Sequence, residues 1–229
     1  MFKFDSKIKE LGFTPPEGDI IGKKNMGAVL EENNQGDQLY YNSITKEWNA
    51  IDSGFNALSL WDDIPIIPSV FRAGVSAPDL IDFIGSATKI YGFNGGSTAE
   101  YLDGCFELLH GYAESTDLRP HIHWCPTTSA AGNIKWQMRY EIKNTNETFT
   151  GTNTITVAID NTEETAWKSL VVEFDVIPGS ELSIGAQCIF TLFRDPTDEE
   201  DTYPDDAGLI TFGIHYQINS DGSRSVMAK

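Results

Sequence analysis

From Ile134 to Ile142 the chain alternates without a break. Ile134, Trp136, Met138, Tyr140 and Ile142 fall on one side, and Lys135, Gln137, Arg139 and Glu141 on the other. Period-2 alternation sends successive side chains to opposite faces and marks a half-buried strand. The same pattern runs through Ile155-Val157-Ile159, Leu170-Val172-Phe174-Val176 and Ile210-Phe212-Ile214-Tyr216-Ile218. Residues 184–193 are apolar on both faces, as in a central strand covered on both sides. With 88–93, 105–109 and 119–125 these make eight predicted strands, parted by turn signals such as Asn94-Gly95-Gly96, Ala131-Gly132-Asn133 and Pro178-Gly179. Strands at this spacing, with no helical period between them, predict an all-β fold: an eight-stranded antiparallel jelly-roll β-sandwich. Residues 54–86 are the least regular stretch, where Pro65, Pro68 and Pro78 exclude a long helix.

The first fifty residues follow a different pattern. Residues 12–27 hold Pro15-Pro16 and four glycines, which favour extended or turning backbone without a core. Beyond them, two short aromatic runs containing Leu39, Tyr40, Tyr41 and Trp48 flank the turn candidate Asn42-Ser43 and predict a small hairpin. A lone hairpin is marginal in water, so this one is expected to lean on the main domain or on another chain. The division predicted is an extended arm over residues 1–50 and a jelly-roll domain over 51–229.

Charge narrows the partners. Sixteen Lys plus Arg against 34 Asp plus Glu give a formal net charge of −18, which argues against nucleic acid and anionic membrane as ligands. Charged residues interrupt every apolar run in Met1–Glu10, so no secretory signal is expected, and no run approaches a membrane span. Cys105, Cys125 and Cys188 lack metal-type spacing and are expected to be small buried hydrophobes in a protein made in a reducing cytoplasm.

The densest candidate chemistry is Pro120-His121-Ile122-His123-Trp124. On a strand His121 and His123 share one face, and His215 in Gly213-Ile214-His215-Tyr216 lies opposite its own apolar set. Two His one residue apart with a distant third form the skeleton of a cupin-type metal site, so a metal-dependent enzyme using His121, His123 and His215 is one alternative. That pattern needs a carboxylate after three or four further residues, and Thr127 and Thr128 stand there instead. The histidines are therefore read as hydrogen-bonded packing groups, and no cofactor is expected.

In the acidic stretch 195–206, Asp198, Asp201 and Asp205 offer oxygen ligands of the kind calcium takes, but the spacing is not that of an EF-hand. A solvated loop joining the last two strands is the expectation. Asp62 and Asp63 are adjacent on an extended chain, point opposite ways and cannot act on one atom. There is no Gly-x-Ser-x-Gly elbow, phosphate-binding Gly-rich loop or Cys-x-x-Cys. Trp48 and Trp61 are candidate sugar platforms, which makes a carbohydrate-binding module a further alternative.

Trp61-Asp62-Asp63, the run from His110-Gly111-Tyr112 through Arg119-Pro120-His121-Ile122-His123-Trp124, and the ending Gly213-Ile214-His215-Tyr216-Gln217 with Gly222-Ser223-Arg224 resemble a module of tailed-bacteriophage and prophage structural proteins. The resemblance spans roughly residues 58–226. It implies a non-enzymatic virion component with a jelly-roll domain, trimeric like the knobs and fibres of phage particles. The run from Gly36 to Trp48 is similar to short hairpin units of phage fibre and collar proteins. It implies an attachment arm, using Leu39, Tyr40, Tyr41 and Trp48, for a capsid, neck or tail partner. The chain lacks shaft-forming repeats, which favours a knob, decoration or short fibre, with surface loops free for a host receptor or glycan.

A homotrimer also follows from sheet physics, because short strands leave edges that random pairing would exploit. Arg119, His121, His123 and His215 are the expected contact face. Protonated histidines near such an axis would make the assembly sensitive to mild acid.

Overall fold

A computed structural model describes residues 60–220 and, before them, three strands: β1 (Val29–Glu32), β2 (Gln38–Asn42) and β3 (Glu47–Ala50). The chain divides into two units, residues 1–58 and 59–229. In the first, β2 pairs antiparallel with both β1 and β3, with Tyr41 opposite Trp48 and Asn42 opposite Glu47. The aromatic runs thus form the predicted hairpin, and β1 widens it to three strands. The side chains of Leu39, Tyr40, Tyr41 and Trp48, and with them the proposed attachment surface, lie outside the described residues.

The second unit is a two-layer, all-antiparallel, jelly-roll-like β-sandwich. Its strands are β4 (Leu60–Ile66), β5 (Arg72–Ala73), β6 (Asp79–Asp82), β7 (Lys89–Phe93), β8 (Glu100–Glu107), β9 (Arg119–Pro126) and β10 (Asn133–Lys143), then β11 (Thr154–Asn161), β12 (Leu170–Glu173), β13 (Gln187–Arg194) and β14 (Ala207–Ile218). One sheet runs β11-β10-β13-β8-β5; the other runs β12-β9-β14-β7-β6, with β4 also paired to β14. Between them Trp136 meets Phe93 and Trp124 edge-on, at ring-centroid distances of 5.1 and 6.1 Å. The Trp124 indole N–H is satisfied by Asp160 Oδ2 at 2.9 Å.

The sandwich has eleven strands, not eight. The additions β4, β5 and β6 come from residues 54–86, where prolines and carboxylates hide the alternation. Pro65 is tolerated because β4 is an edge strand that pairs with β14 alone.

Two facing predictions are also corrected. β13 is central in its sheet, but its outer face is covered only in part: Phe193 is buried between Tyr101 and Arg139, whereas Ile189 is exposed. In β11 the isoleucines point outward, and Thr156 and Ala158 point into the core. Register explains this inversion. Ala158 and Thr156 sit opposite the large Trp136 and Met138 of β10, where small side chains complete the layer. Thr156 donates its hydroxyl to the Asp175 carbonyl at 2.7 Å, so its burial leaves no unmet donor. Of the cysteines, Cys125 and Cys188 are buried as expected, whereas Cys105 is exposed on the outer face of β8.

Candidate functional site

In the six-stranded sheet β9 lies between β12 and β14, and β14 bonds β4 on its other side. Register places His121 opposite Gly213 and Glu173, and His215 opposite Arg119 and Asp63. The outward side chains of four strands therefore converge, while Ile122, Trp124, Phe212 and Ile214 fill the core below. The pleat divides the adjacent carboxylates as their sequence predicts. Asp62 accepts the Tyr216 hydroxyl at 3.0 Å, and Asp63 turns to the histidines.

His121 is only 2% exposed although it sits on the outer face. Its ring stacks on His215, with centroids 4.0 Å apart and planes 16° from parallel, and His123 meets it edge-on at 5.3 Å. Its Nε2 lies 3.8 Å from Asp63 Oδ2. Gly213 makes this approach possible: a Cβ there would come within 2.6 Å of His121 Cε1 and 2.7 Å of Asp63 Oδ1. Burial and the neighbouring His215 push the His121 imidazole below its ordinary pKa, against the pull of Asp63. Asp63, His121 and His215 can bring one ligand atom each within 4.8 Å of one another.

The carboxylate missing after His123 thus has a counterpart on another strand, and Asp63 takes the place that the cupin pattern gave to His123. Of the four residues expected at a trimer face, three keep exposed surface. His121 is already covered by its own chain, so only Arg119, His123 and His215 have surface to offer. Arg119 is drawn sideways: it pairs with Glu173 at 3.5 Å, and its guanidinium carbon stands 5.5 Å from the Trp61 ring centroid. Trp61, opposite Gln217, remains 44% exposed.

The acidic stretch is not a solvated loop throughout. Arg194 is fully buried and uses all five of its N–H donors. Nε and Nη2 reach Asp201 at 2.9 and 2.8 Å, Nη1 reaches the Phe93 and Asp205 carbonyls at 2.9 and 2.8 Å, and Nη2 also donates to the Tyr203 carbonyl. Asp198 is held by Lys135 Nζ at 2.9 Å, and Asp205 accepts the Thr128 hydroxyl. The three carboxylates considered for calcium therefore serve three different donors and do not converge. A hollow of about 380 Å³ lined by Tyr140, Glu141, Lys143, Thr152 and Glu181 shares no residue with the histidine cluster. Its Glu141 already accepts the backbone N–H groups of Thr150 and Gly151.

No family model matches the chain, and no curated protein does. Solved structures do align with it, two of which are carbohydrate-binding modules. The CBM36-1 domain of a multidomain xylanase from the hindgut metagenome of Trinervitermes trinervoides does so at 11% identity and a TM-score of 0.35, over 72% of this chain and 100% of its own. TmCBM61 in complex with β-1,4-galactotriose does so at 12% identity and a TM-score of 0.29, over 69% of this chain and 89% of its own. At these scores neither lends its ligand to this chain, and the fold stands on the strand pairing described above.

Proposed function

We propose that the sandwich is a glycan-recognition domain of a phage structural protein, and that the outer face of the six-stranded sheet is its binding surface. The observation that carries this reading is the Trp61–Arg119 pair. A half-exposed indole beside a guanidinium, with His215, Gln217 and Glu173 on the same face, is what a sugar requires. The ring stacks against the C–H face of a pyranose, and the flanking planar groups hydrogen-bond its hydroxyls. The phage setting rests on the resemblance across residues 58–226. A glycan array probed with wild-type protein and Trp61→Ala tests the reading. Selective binding that the substitution weakens at least tenfold, with circular dichroism unchanged, supports it. No binding, or binding indifferent to Trp61, overturns it.

A homotrimer is the second part of the reading. The observation favouring it is that β11, the edge strand of the five-stranded sheet, turns Ile155 and Ile159 outward, where another copy can cover them. Native mass spectrometry at neutral pH tests it, and a monomer at micromolar concentration contradicts it.

A further inference from the structure

We infer that Asp63, His121 and His215 form a binding site for one divalent cation of the zinc class. The argument stands whether or not the same face takes a glycan.

Two of the three buried side-chain polar atoms that lack a hydrogen-bond partner among the described residues belong to this cluster, Asp63 Oδ1 and His121 Nδ1. Unmet buried polar atoms are rare in folded proteins, and the unmet Asp63 Oδ1 beside the His121 ring indicates a missing partner. The His121 side chain is 3% exposed, and its Nε2 faces Asp63 Oδ2 at 3.8 Å, beyond hydrogen-bond length. The pair is thus held close without being bonded. Gly213 lets both side chains close down onto the backbone, where a Cβ would come within 2.6 Å of the His121 ring and 2.7 Å of Asp63 Oδ1.

The donor set selects the ion. Two imidazoles and one carboxylate suit zinc and its transition-metal neighbours, whereas calcium takes oxygen ligands throughout. With bonds of about 2.0–2.2 Å, tetrahedral zinc ligands lie about 3.4 Å apart, so a cluster already within 4.8 Å must contract and the His215 ring must turn out of its stack on His121 to aim a nitrogen at the ion. His121 is fixed by packing. His215 and Asp63 are 39% and 40% exposed in their side chains and can supply the movement. Their exposure also leaves a fourth coordination position open to water or to a ligand on the sheet face. His123 meets His121 by its ring edge and lies outside the trio.

Calorimetric titration of the full-length protein with zinc(II), with calcium(II) as comparison, tests the site. The expected result is one equivalent of zinc bound, no calcium bound, and a rise in melting temperature with zinc. Asp63→Asn and His215→Ala, both altered at exposed side chains, each weaken zinc binding at least tenfold. His123→Ala leaves it within twofold, and Gly213→Ala abolishes it. Cobalt(II) adds a second readout, a visible absorption band that Asp63→Asn removes. Absence of zinc binding by the wild-type protein overturns the inference, as does binding that survives both Asp63→Asn and His215→Ala.

Discussion

Arg194 and Asp201 form a bidentate ion pair with side chains 0% and 1% exposed, sealed beneath a stretch of chain rich in other carboxylates. A charge this deeply buried persists only when every donor and acceptor is met, and the carbonyls of Phe93, Tyr203 and Asp205 complete the set. The pair ties the end of β13 to β7 and shapes the connection into β14, the strand that carries Gly213 and His215.

Arg194→Ala is therefore expected to destabilise the fold by about 3–5 kcal/mol, because it strands Asp201 in the interior. Arg194→Lys fails almost as badly, since a three-donor ammonium cannot replace five donors in a planar fork. Replacing both partners, as in Arg194→Met with Asp201→Leu, recovers part of the loss. Urea denaturation of the four proteins checks the order.

The Tyr216–Asp62 hydrogen bond fixes the strand that presents Asp63. Tyr216→Phe is expected to cost about 1 kcal/mol, the usual net value of such a bond. Differential scanning calorimetry measures it. A neutral result would mean that β4 is held by its backbone ladder alone.

Acid weakens one surface contact in a defined direction. The hydrogen bond from Lys135 holds the Asp198 carboxyl below its ordinary pKa. Its stabilising contribution is present above the unfolded carboxylate's pKa and is lost as pH falls through the lower, folded value. Asp198→Asn should lower stability by about 0.5 kcal/mol at pH 7, converge with the wild type near pH 2, and change little at any pH in a Lys135→Met background. Denaturation midpoints from pH 2 to pH 7 give the comparison.

The cysteines should react in sequence. Cys105 is exposed, whereas burial lifts the Cys125 thiol to about 11 and Cys188 well above its ordinary value. A thiol reagent at pH 8 is expected to modify one cysteine in the native protein and three in denaturant. Two fast-reacting thiols in the folded state would contradict the packing of β9 or β13.

Much of the fold was legible because strand alternation is local. Ile134 through Ile142 states its own conformation and its own core face. Ile155-Val157-Ile159 shows the limit: period 2 reveals that two faces differ, but which one is buried depends on the partner. Here Trp136 and Met138 fill the core and leave room only for Ala158 and Thr156. β4 escaped notice because Asp62, Asp63 and Pro65 break its apolar pattern. The site divides in the same way. His121 and His123 are placed on one face by spacing alone, whereas Asp63 reaches them through a register between distant strands. Gly213 carried a usable signal, a residue without a side chain on an outer face two positions from His215. Arg194 carried another, a lone cation at the edge of an acidic run.

The most direct test of the recognition surface is backbone amide chemical-shift mapping of the domain, titrated with the highest-scoring oligosaccharide from the array. The account predicts that the largest perturbations fall on Trp61, Arg119, His215 and Gln217, with the Trp61 indole signal among them. Perturbations confined to residues 144–153, with these four unmoved, would contradict it.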